Sequence, residues 1–112
     1  MNRRSQVLLW GAQRASAAVL ALCVVVHLVT VIYAVRNGLS AAEILGRTRG
    51  NYGWLAFYAL FVAAVAIHAP IGLRTILSES TGWRNPVLDG LALAFGVALA
   101  LWGWRAVFAV FA

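Results

Sequence analysis

Two long stretches without a charged residue constrain what this chain can fold into. Residues 15–35 carry no charge, and neither do residues 52–73. Each stretch matches the roughly 20 apolar residues that an α-helix needs to cross the hydrocarbon core of a bilayer. Because lipid offers no partner to backbone N–H and C=O groups, a spanning segment of this kind has to be helical. The sequence therefore predicts a protein of the lipid bilayer.

A third apolar stretch is less regular but indicates the same structure. It begins after Pro86, carries Asp89 in its first turn and is apolar over residues 90–111 apart from Arg105. Proline and an acidic side chain both suit a helix start, since proline lacks an N–H and the acid complements the helix dipole. We predict an all-α integral membrane protein with an up-down-up bundle of three transmembrane helices in a single domain. The helices are expected at residues 15–35, 52–74 and 87–111 of the domain 1–112.

The two connections differ in what they predict. Residues 36–51 contain Ser40 and Glu43 at the spacing of a capping box, which predicts a short surface helix. Residues 75–85 are short and polar, and we expect them to connect the second and third spanning helices.

The composition agrees with a membrane location and excludes other classes. Of the 112 residues, 63% are hydrophobic, more apolar surface than a small soluble domain can bury. The net charge of +6 would suggest a nucleic-acid partner in a soluble chain. Here the arginines flank the apolar stretches as interfacial anchors, so we expect no nucleic-acid partner. Cys23 is the single cysteine, which excludes an intramolecular disulfide and suggests a small buried hydrophobe.

The arginines also predict the orientation. Cytoplasmic segments of membrane proteins carry an excess of basic residues. Five arginines are expected on the side of the N-terminus and four on the other side, so we predict a short N-terminal segment in the cytoplasm. The first group is Arg3, Arg4, Arg14, Arg74 and Arg84, and the second is Arg36, Arg47, Arg49 and Arg105.

His68 is the most informative polar residue of the second stretch. An ionisable residue at membrane depth is costly and by default marks a functional site. It shares a helical face with aromatic and small residues, which suits the edge and the plane of a macrocycle. Because imidazole is a common ligand of haem iron, we predict that His68 is a haem axial ligand, that Gly72 packs against the haem and that Arg74 binds a propionate. The other members of this face are Phe57, Phe61, Ala64 and Thr75.

The first stretch carries a second polar stripe. Ser16, Cys23 and His27 share one face of a helix, with Thr30 beside them, and interhelical hydrogen bonding alone would explain the hydroxyl groups. His27 is a candidate second haem ligand or haem neighbour. Its depth in the membrane is expected to differ from that of His68 by about 6 Å. A ligand from a neighbouring subunit is the alternative. Arg14 and Ser16 could hydrogen-bond a quinone carbonyl, although Arg14 could equally extend to the lipid headgroups.

These residues resemble the cytochrome b membrane-anchor subunits of succinate dehydrogenase. The second helix of that family carries a haem-ligand histidine, a glycine four residues on, an arginine two after that and an acid near the helix end. His68, Gly72, Arg74 and Glu79 follow this order, with Glu79 in place of the usual aspartate. The first helix of the family contains a His-Arg-x-Ser-Gly run. Residues 13–17 read Gln-Arg-Ala-Ser-Ala, so the arginine and the serine match while the histidine and the glycine are absent.

The resemblance implies a subunit that binds haem b, with ubiquinone or menaquinone as substrate, in a bacterial inner membrane. A flavoprotein subunit would oxidise succinate, and an iron–sulfur subunit would pass the electrons to quinone. This chain would anchor both to the lipid bilayer without carrying succinate chemistry. A second membrane-anchor subunit would complete the quinone pocket and supply the other haem ligand.

Three alternatives stay open on the sequence alone. The chain could be an anchor of the fumarate-reductase type. It could be a small transporter or channel subunit, in which His27, His68 and Asp89 form a path for protons or ions. It could also be a structural assembly factor, in which the histidines serve packing alone.

Overall fold

The computed structural model describes residues 2–82 and 85–112, and it confirms the all-α membrane fold. The helices are α1 (Arg3–Arg36), α2 (Ala41–Thr48), α3 (Tyr52–Thr81) and α4 (Pro86–Phe111). α1, α3 and α4 are each long and apolar enough to cross a membrane, whereas α2 is short. The molecule is 49 Å long, so its long axis exceeds the roughly 30 Å of the hydrocarbon core.

Polar caps fix where the helices begin. Ser40 and Glu43 form the predicted reciprocal capping box of α2, with two hydrogen bonds of 3.2 Å. At the start of α4, the side chain of Asn85 accepts a hydrogen bond of 3.1 Å from the backbone N–H of Leu88. Pro86 occupies the first turn of that helix, where its missing N–H is not needed. These caps confirm the predicted surface helix and the start of the third spanning helix.

Two helices extend beyond the predicted bounds. α1 starts at Arg3 rather than near residue 15, so the predicted N-terminal segment is itself helical. α3 continues through most of the predicted connection and ends at Gly82, whose φ of 72° is the left-handed conformation typical of a helix end. The prediction ended each helix at the nearest charge, but a charged residue such as arginine is a good helix former and stops only the apolar stretch. Of the predicted connection 75–85, residues 83 and 84 lie outside the described residues.

α3 is the central helix, because it packs against α1 on one side and against α4 on the other. On the α1 side, Gln13 lies against Gly72, whereas His27 lies against Tyr58. A later residue of α1 thus meets an earlier residue of α3, as antiparallel packing requires. Cys23 of α1 is buried, as predicted.

The contact between α3 and α4 depends on two glycines of α4. A Cβ atom placed on Gly103 would lie 2.7 Å from Cγ1 of Val62, and one on Gly96 would lie 3.0 Å from Cγ of Pro70. Small residues allow such close approach of helix backbones in membranes, where packing drives helix association. The residue order is again antiparallel, so α1, α3 and α4 form the predicted up-down-up bundle.

α2 packs against the last turn of α4 and satisfies carbonyl groups there. The Thr48 hydroxyl donates a hydrogen bond of 2.7 Å to the carbonyl of Val110, and the Gly50 N–H donates one of 2.9 Å to the carbonyl of Phe111. The last four carbonyls of a helix have no partner within the helix, so these bonds replace water or lipid headgroups. We call this end of the bundle the α2 end, and the opposite end, where α1 begins and α3 finishes, the N-terminal end.

Replacing Gly103 with alanine is expected to destabilise the bundle by about 1–3 kcal/mol, because the added methyl group overlaps Val62. Gly90→Ala on the same helix is the matched control, since a Cβ there meets no atom within 4 Å. The control should keep or slightly raise stability. Thermal unfolding in detergent, followed by circular dichroism, measures both. Equal apparent Tm values for the two variants would contradict the close contact between α3 and α4.

Candidate functional site

His68 carries the one side-chain atom of α3 that is buried without a hydrogen-bond partner in the described residues. The side chain is partly buried, and its Nδ1 atom is buried with no hydrogen bond. Its Nε2 atom also makes no hydrogen bond within the described residues, but unlike Nδ1 it is not fully buried. A buried unpaired group costs about 1–3 kcal/mol and calls for a functional explanation. The Nε2 atom is therefore open to a group that approaches from outside the chain.

Gly72 faces α1 rather than open space. A Cβ atom on Gly72 would lie 3.3 Å from Nε2 of Gln13. Ala64, on the same face of α3 one turn before His68, is also buried. Helical periodicity shows which residues share a face but not what covers it. The small size of Gly72 gives room to the Gln13 side chain, and its packing against a haem stays a prediction.

The structure separates Arg14 from Ser16. Ser16 is only 6% exposed, and its hydroxyl donates a hydrogen bond of 3.1 Å to the carbonyl of Gln13. Arg14 is exposed, with its guanidinium carbon 5.2 Å from the centroid of the Trp10 ring, within cation–π range. Two successive steps along a helix turn by about 200°, so the two side chains point to opposite sides of α1. One group at the protein surface therefore does not contact both side chains without entering the bundle.

Arg74 forms an ion pair at the N-terminal end of the bundle. Its Nε atom donates a hydrogen bond of 2.5 Å to Oδ1 of Asp89, which joins α3 to the first turn of α4. The side chains are 30% and 56% exposed. Because the pair uses Nε, the two terminal nitrogens of the Arg74 guanidinium remain for a second anion. The predicted propionate contact would therefore share Arg74 with Asp89.

His27 lies in a different part of the bundle from His68. Its Nδ1 atom is 3.4 Å from the Tyr58 hydroxyl, and its ring packs edge-on against Phe61 with centroids 5.7 Å apart. Tyr58 precedes His68 by ten residues (68 − 58) on α3, and at 1.5 Å per residue the two histidines are about 15 Å apart along the bundle. The expected difference of about 6 Å was wrong, because it aligned the centres of the two helices. The structure does not bring His27 and His68 of one chain to one iron.

Two cavities lie at the α2 end. Their volumes are about 470 Å³ and 660 Å³. Both are lined by His27, Ile44, Thr48 and Tyr58, and neither is lined by His68. These two cavities therefore lie beside His27 and not beside the predicted haem ligand.

The three residues of the alternative transporter or channel path lie at separate places in the bundle. His27 and His68 are about 15 Å apart along the bundle. Asp89 is paired with Arg74. Within residues 2–82 and 85–112, no hydrogen bond or ion pair links any two of His27, His68 and Asp89.

Sequence reasoning missed Gln13, which it treated only as a departure from a motif. The Oε1 atom of Gln13 is buried and has no hydrogen-bond partner. The signal in the sequence was its position three residues before Ser16, which places it on the face of the predicted polar stripe.

A family model matches most of the chain. Its description is Succinate dehydrogenase/Fumarate reductase transmembrane subunit, and the match covers residues 1–104, which include α1, α2, α3 and most of α4. No curated protein and no solved structure matches the chain. The family description covers both directions of the reaction and does not separate succinate dehydrogenases from fumarate reductases.

The Arg74–Asp89 pair is expected to contribute little to stability. A double-mutant cycle with Arg74→Gln and Asp89→Asn should give a coupling energy below about 1 kcal/mol, because both side chains are partly exposed and the attraction is screened. Thermal unfolding of the two single variants and the double variant in detergent measures the coupling. A value of about 3 kcal/mol or more would indicate a buried pair and contradict the observed exposure.

Proposed function

The chain belongs to the succinate dehydrogenase/fumarate reductase transmembrane-subunit family, and from that premise we propose that it anchors a succinate dehydrogenase in a bacterial inner membrane. A flavoprotein subunit oxidises succinate, and an iron–sulfur subunit passes the electrons to ubiquinone or menaquinone at the membrane. This chain docks those subunits, holds haem b and contributes to the quinone site. It takes no part in the succinate chemistry.

The observation that carries the haem proposal is the state of the His68 ring. Its Nδ1 atom is buried and unpaired, while Nε2 is open to the outside. These residues fit a haem b, because imidazole binds haem iron and a guanidinium binds a carboxylate such as a propionate. His68 would hold the iron through Nε2, and Arg74 would hold a propionate through the nitrogens that Asp89 leaves free. Bound there, haem b would supply one-electron redox chemistry close to the quinone.

The other axial ligand is proposed to come from a second membrane-anchor subunit. His27 lies about 15 Å from His68 along the bundle, too far to bind the same iron. His68 is only partly buried, so a neighbouring helix can approach its ring.

Arg14 is proposed to bind the quinone. Its guanidinium lies on the outer face of α1, at the same end of the bundle as Arg74. Trp10 lies beside it and offers an aromatic wall next to the hydrogen-bond donors. Ser16 is the second proposed contact, and its burial means that the quinone headgroup reaches it only between α1 and α3.

The N-terminal end is proposed to face the cytoplasm and to carry the docking surface. α1 has 34 residues and is therefore about 51 Å long, well beyond the roughly 30 Å of the hydrocarbon core. Its first turns carry Arg3, Arg4 and Arg14, so this helical extension suits the headgroup region and the space just outside it. An iron–sulfur subunit bound to this extension would lie next to the proposed quinone site.

Replacing His68 with alanine is expected to abolish the b-type signal in the reduced-minus-oxidised visible spectrum of the purified complex. The matched control is His27→Ala, which should retain the signal because His27 lies about 15 Å away along the bundle. Size-exclusion chromatography shows whether each variant still assembles. An assembled wild-type complex without a haem signal would overturn the haem proposal.

Replacing Arg14 with alanine is expected to slow quinone reduction about tenfold or more, because a charge-assisted hydrogen bond contributes about 1.5–3 kcal/mol. Succinate oxidation with a water-soluble dye as acceptor should be unchanged, since it bypasses this chain. Arg36→Ala, at the α2 end, is the control for the loss of an arginine. Ser16→Ala tests whether the headgroup also enters between α1 and α3. Equal losses of quinone and dye reduction would indicate failed assembly and contradict the quinone role.

A further inference from the structure

We propose that Gln13 is a positioning residue for His68: its amide oxygen accepts a hydrogen bond from the Nδ1–H of the imidazole when Nε2 binds iron. The inference rests on the proposed role of His68 as haem ligand. It assigns a function to a residue that the family resemblance leaves without one.

Two buried side-chain atoms of the described residues lack a hydrogen-bond partner, and they are chemically complementary. One is Oε1 of Gln13, which can only accept a hydrogen bond. The other is Nδ1 of His68. A neutral imidazole carries its proton on one nitrogen, so an iron on Nε2 fixes the proton on Nδ1 and makes that atom a donor. An unpaired buried polar group is destabilising, and one hydrogen bond between these two atoms would satisfy both.

The packing of α1 on α3 places the Gln13 amide beside the turn that contains His68. Its Nε2 atom is 3.3 Å from the Cβ position of Gly72, which follows His68 by four residues on the same face. Cα–Cβ bonds on a helix tilt toward its N-terminus, so the space above Gly72 lies toward His68. A side chain at position 72 would occupy this space. The glycine therefore leaves room for the amide.

The two atoms are not bonded to each other in the structure, so the proposed hydrogen bond requires the Gln13 side chain to rotate. The terminal torsion of glutamine is broad and roughly two-fold, so the oxygen and nitrogen ends of the Gln13 amide exchange places at low cost. The position of the proton on the His68 ring depends on which nitrogen binds iron. Iron binding at Nε2 therefore creates the donor that the amide oxygen lacks.

Ser16 is the competing acceptor. Its hydroxyl is buried on the same side of α1, one turn after Gln13, and its hydrogen is already donated to the Gln13 carbonyl. Its oxygen makes no hydrogen bond to His68. Ser16 has a hydrogen-bond partner, whereas the buried Gln13 oxygen has none. Gln13 is therefore the acceptor that lacks a donor.

A hydrogen bond from Nδ1–H to an acceptor fixes the orientation of the imidazole and increases its basicity as a ligand. A more basic ligand favours Fe(III) over Fe(II), which lowers the midpoint potential of the haem. Gln13→Met removes the acceptor at similar side-chain length and should raise that potential. Gln13→Glu supplies a stronger, charged acceptor and should lower it. Each change is expected to shift the equilibrium between the two iron states about tenfold, or about 59 mV for a one-electron couple.

Spectroelectrochemical titration of the haem in the purified complex tests the inference. Gln6→Met, an exposed position on the same helix, is the matched control. Ser16→Ala tests whether Ser16, rather than Gln13, is the acceptor. The expected result is opposite shifts for Gln13→Met and Gln13→Glu, with Gln6→Met at the wild-type potential. A mere packing role would not produce shifts of opposite sign.

Three results would overturn the inference. If the haem is present and both Gln13 variants keep the wild-type potential, the inference fails while the haem proposal stands. If Ser16→Ala shifts the potential as much as Gln13→Met does, the acceptor is Ser16. If the Gln13→Met complex does not assemble, Gln13→Glu is the remaining test. A midpoint potential of Gln13→Glu at or above that of wild type then overturns the inference. An assembled wild-type complex without haem would instead overturn the proposed function itself.

Discussion

The close packing of α3 between α1 and α4 is the interaction on which the rest of the structure depends. In lipid, apolar side chains gain little by contacting each other instead of acyl chains, so helices associate through tight steric fit and polar contacts. Gly103 against Val62 and Gly96 against Pro70 supply that fit on one side of α3. These contacts set the register of the bundle, and the register decides which residues share an end. The proposed haem ligand, the arginine beside it and the proposed quinone residue all lie toward the N-terminal end as a result.

The number, order and direction of the spanning helices could be predicted from the sequence. In a bilayer the backbone N–H and C=O groups must hydrogen-bond within the protein, which leaves few possible structures. The sequence also predicted α2, since Ser40 and Glu43 form a local pattern that needs no tertiary contact. Helix ends were less predictable, because charges end an apolar stretch without ending the helix. The relative depth of two helices was not predictable at all. It depends on which side chains interlock, and no local pattern encodes the contact between Gln13 and Gly72.

The two histidines illustrate the same limit at the site. In the sequence, His27 and His68 both lie in uncharged apolar stretches, and Gly72 and Arg74 after His68 made it the stronger candidate for a haem ligand. In the structure, His27 has an aromatic and hydroxyl environment from Tyr58 and Phe61. His68 instead has a buried nitrogen without a partner. The position of Gln13 three residues before Ser16 placed it on the polar stripe, but only the structure shows that its amide oxygen is buried without a partner.

The bonds between α2 and the last turn of α4 imply an order of assembly. Thr48 and its acceptor carbonyl on Val110 are 62 residues apart in the chain. Chains are synthesised from the N-terminus, so α2 leaves the ribosome long before its partner exists. α2 can acquire its own capping box at once, but it can take its final place only after α4 has been inserted. The α2 end therefore reaches its final form last, because α4 also supplies part of the wall of one cavity beside His27, including Trp102 and Val110.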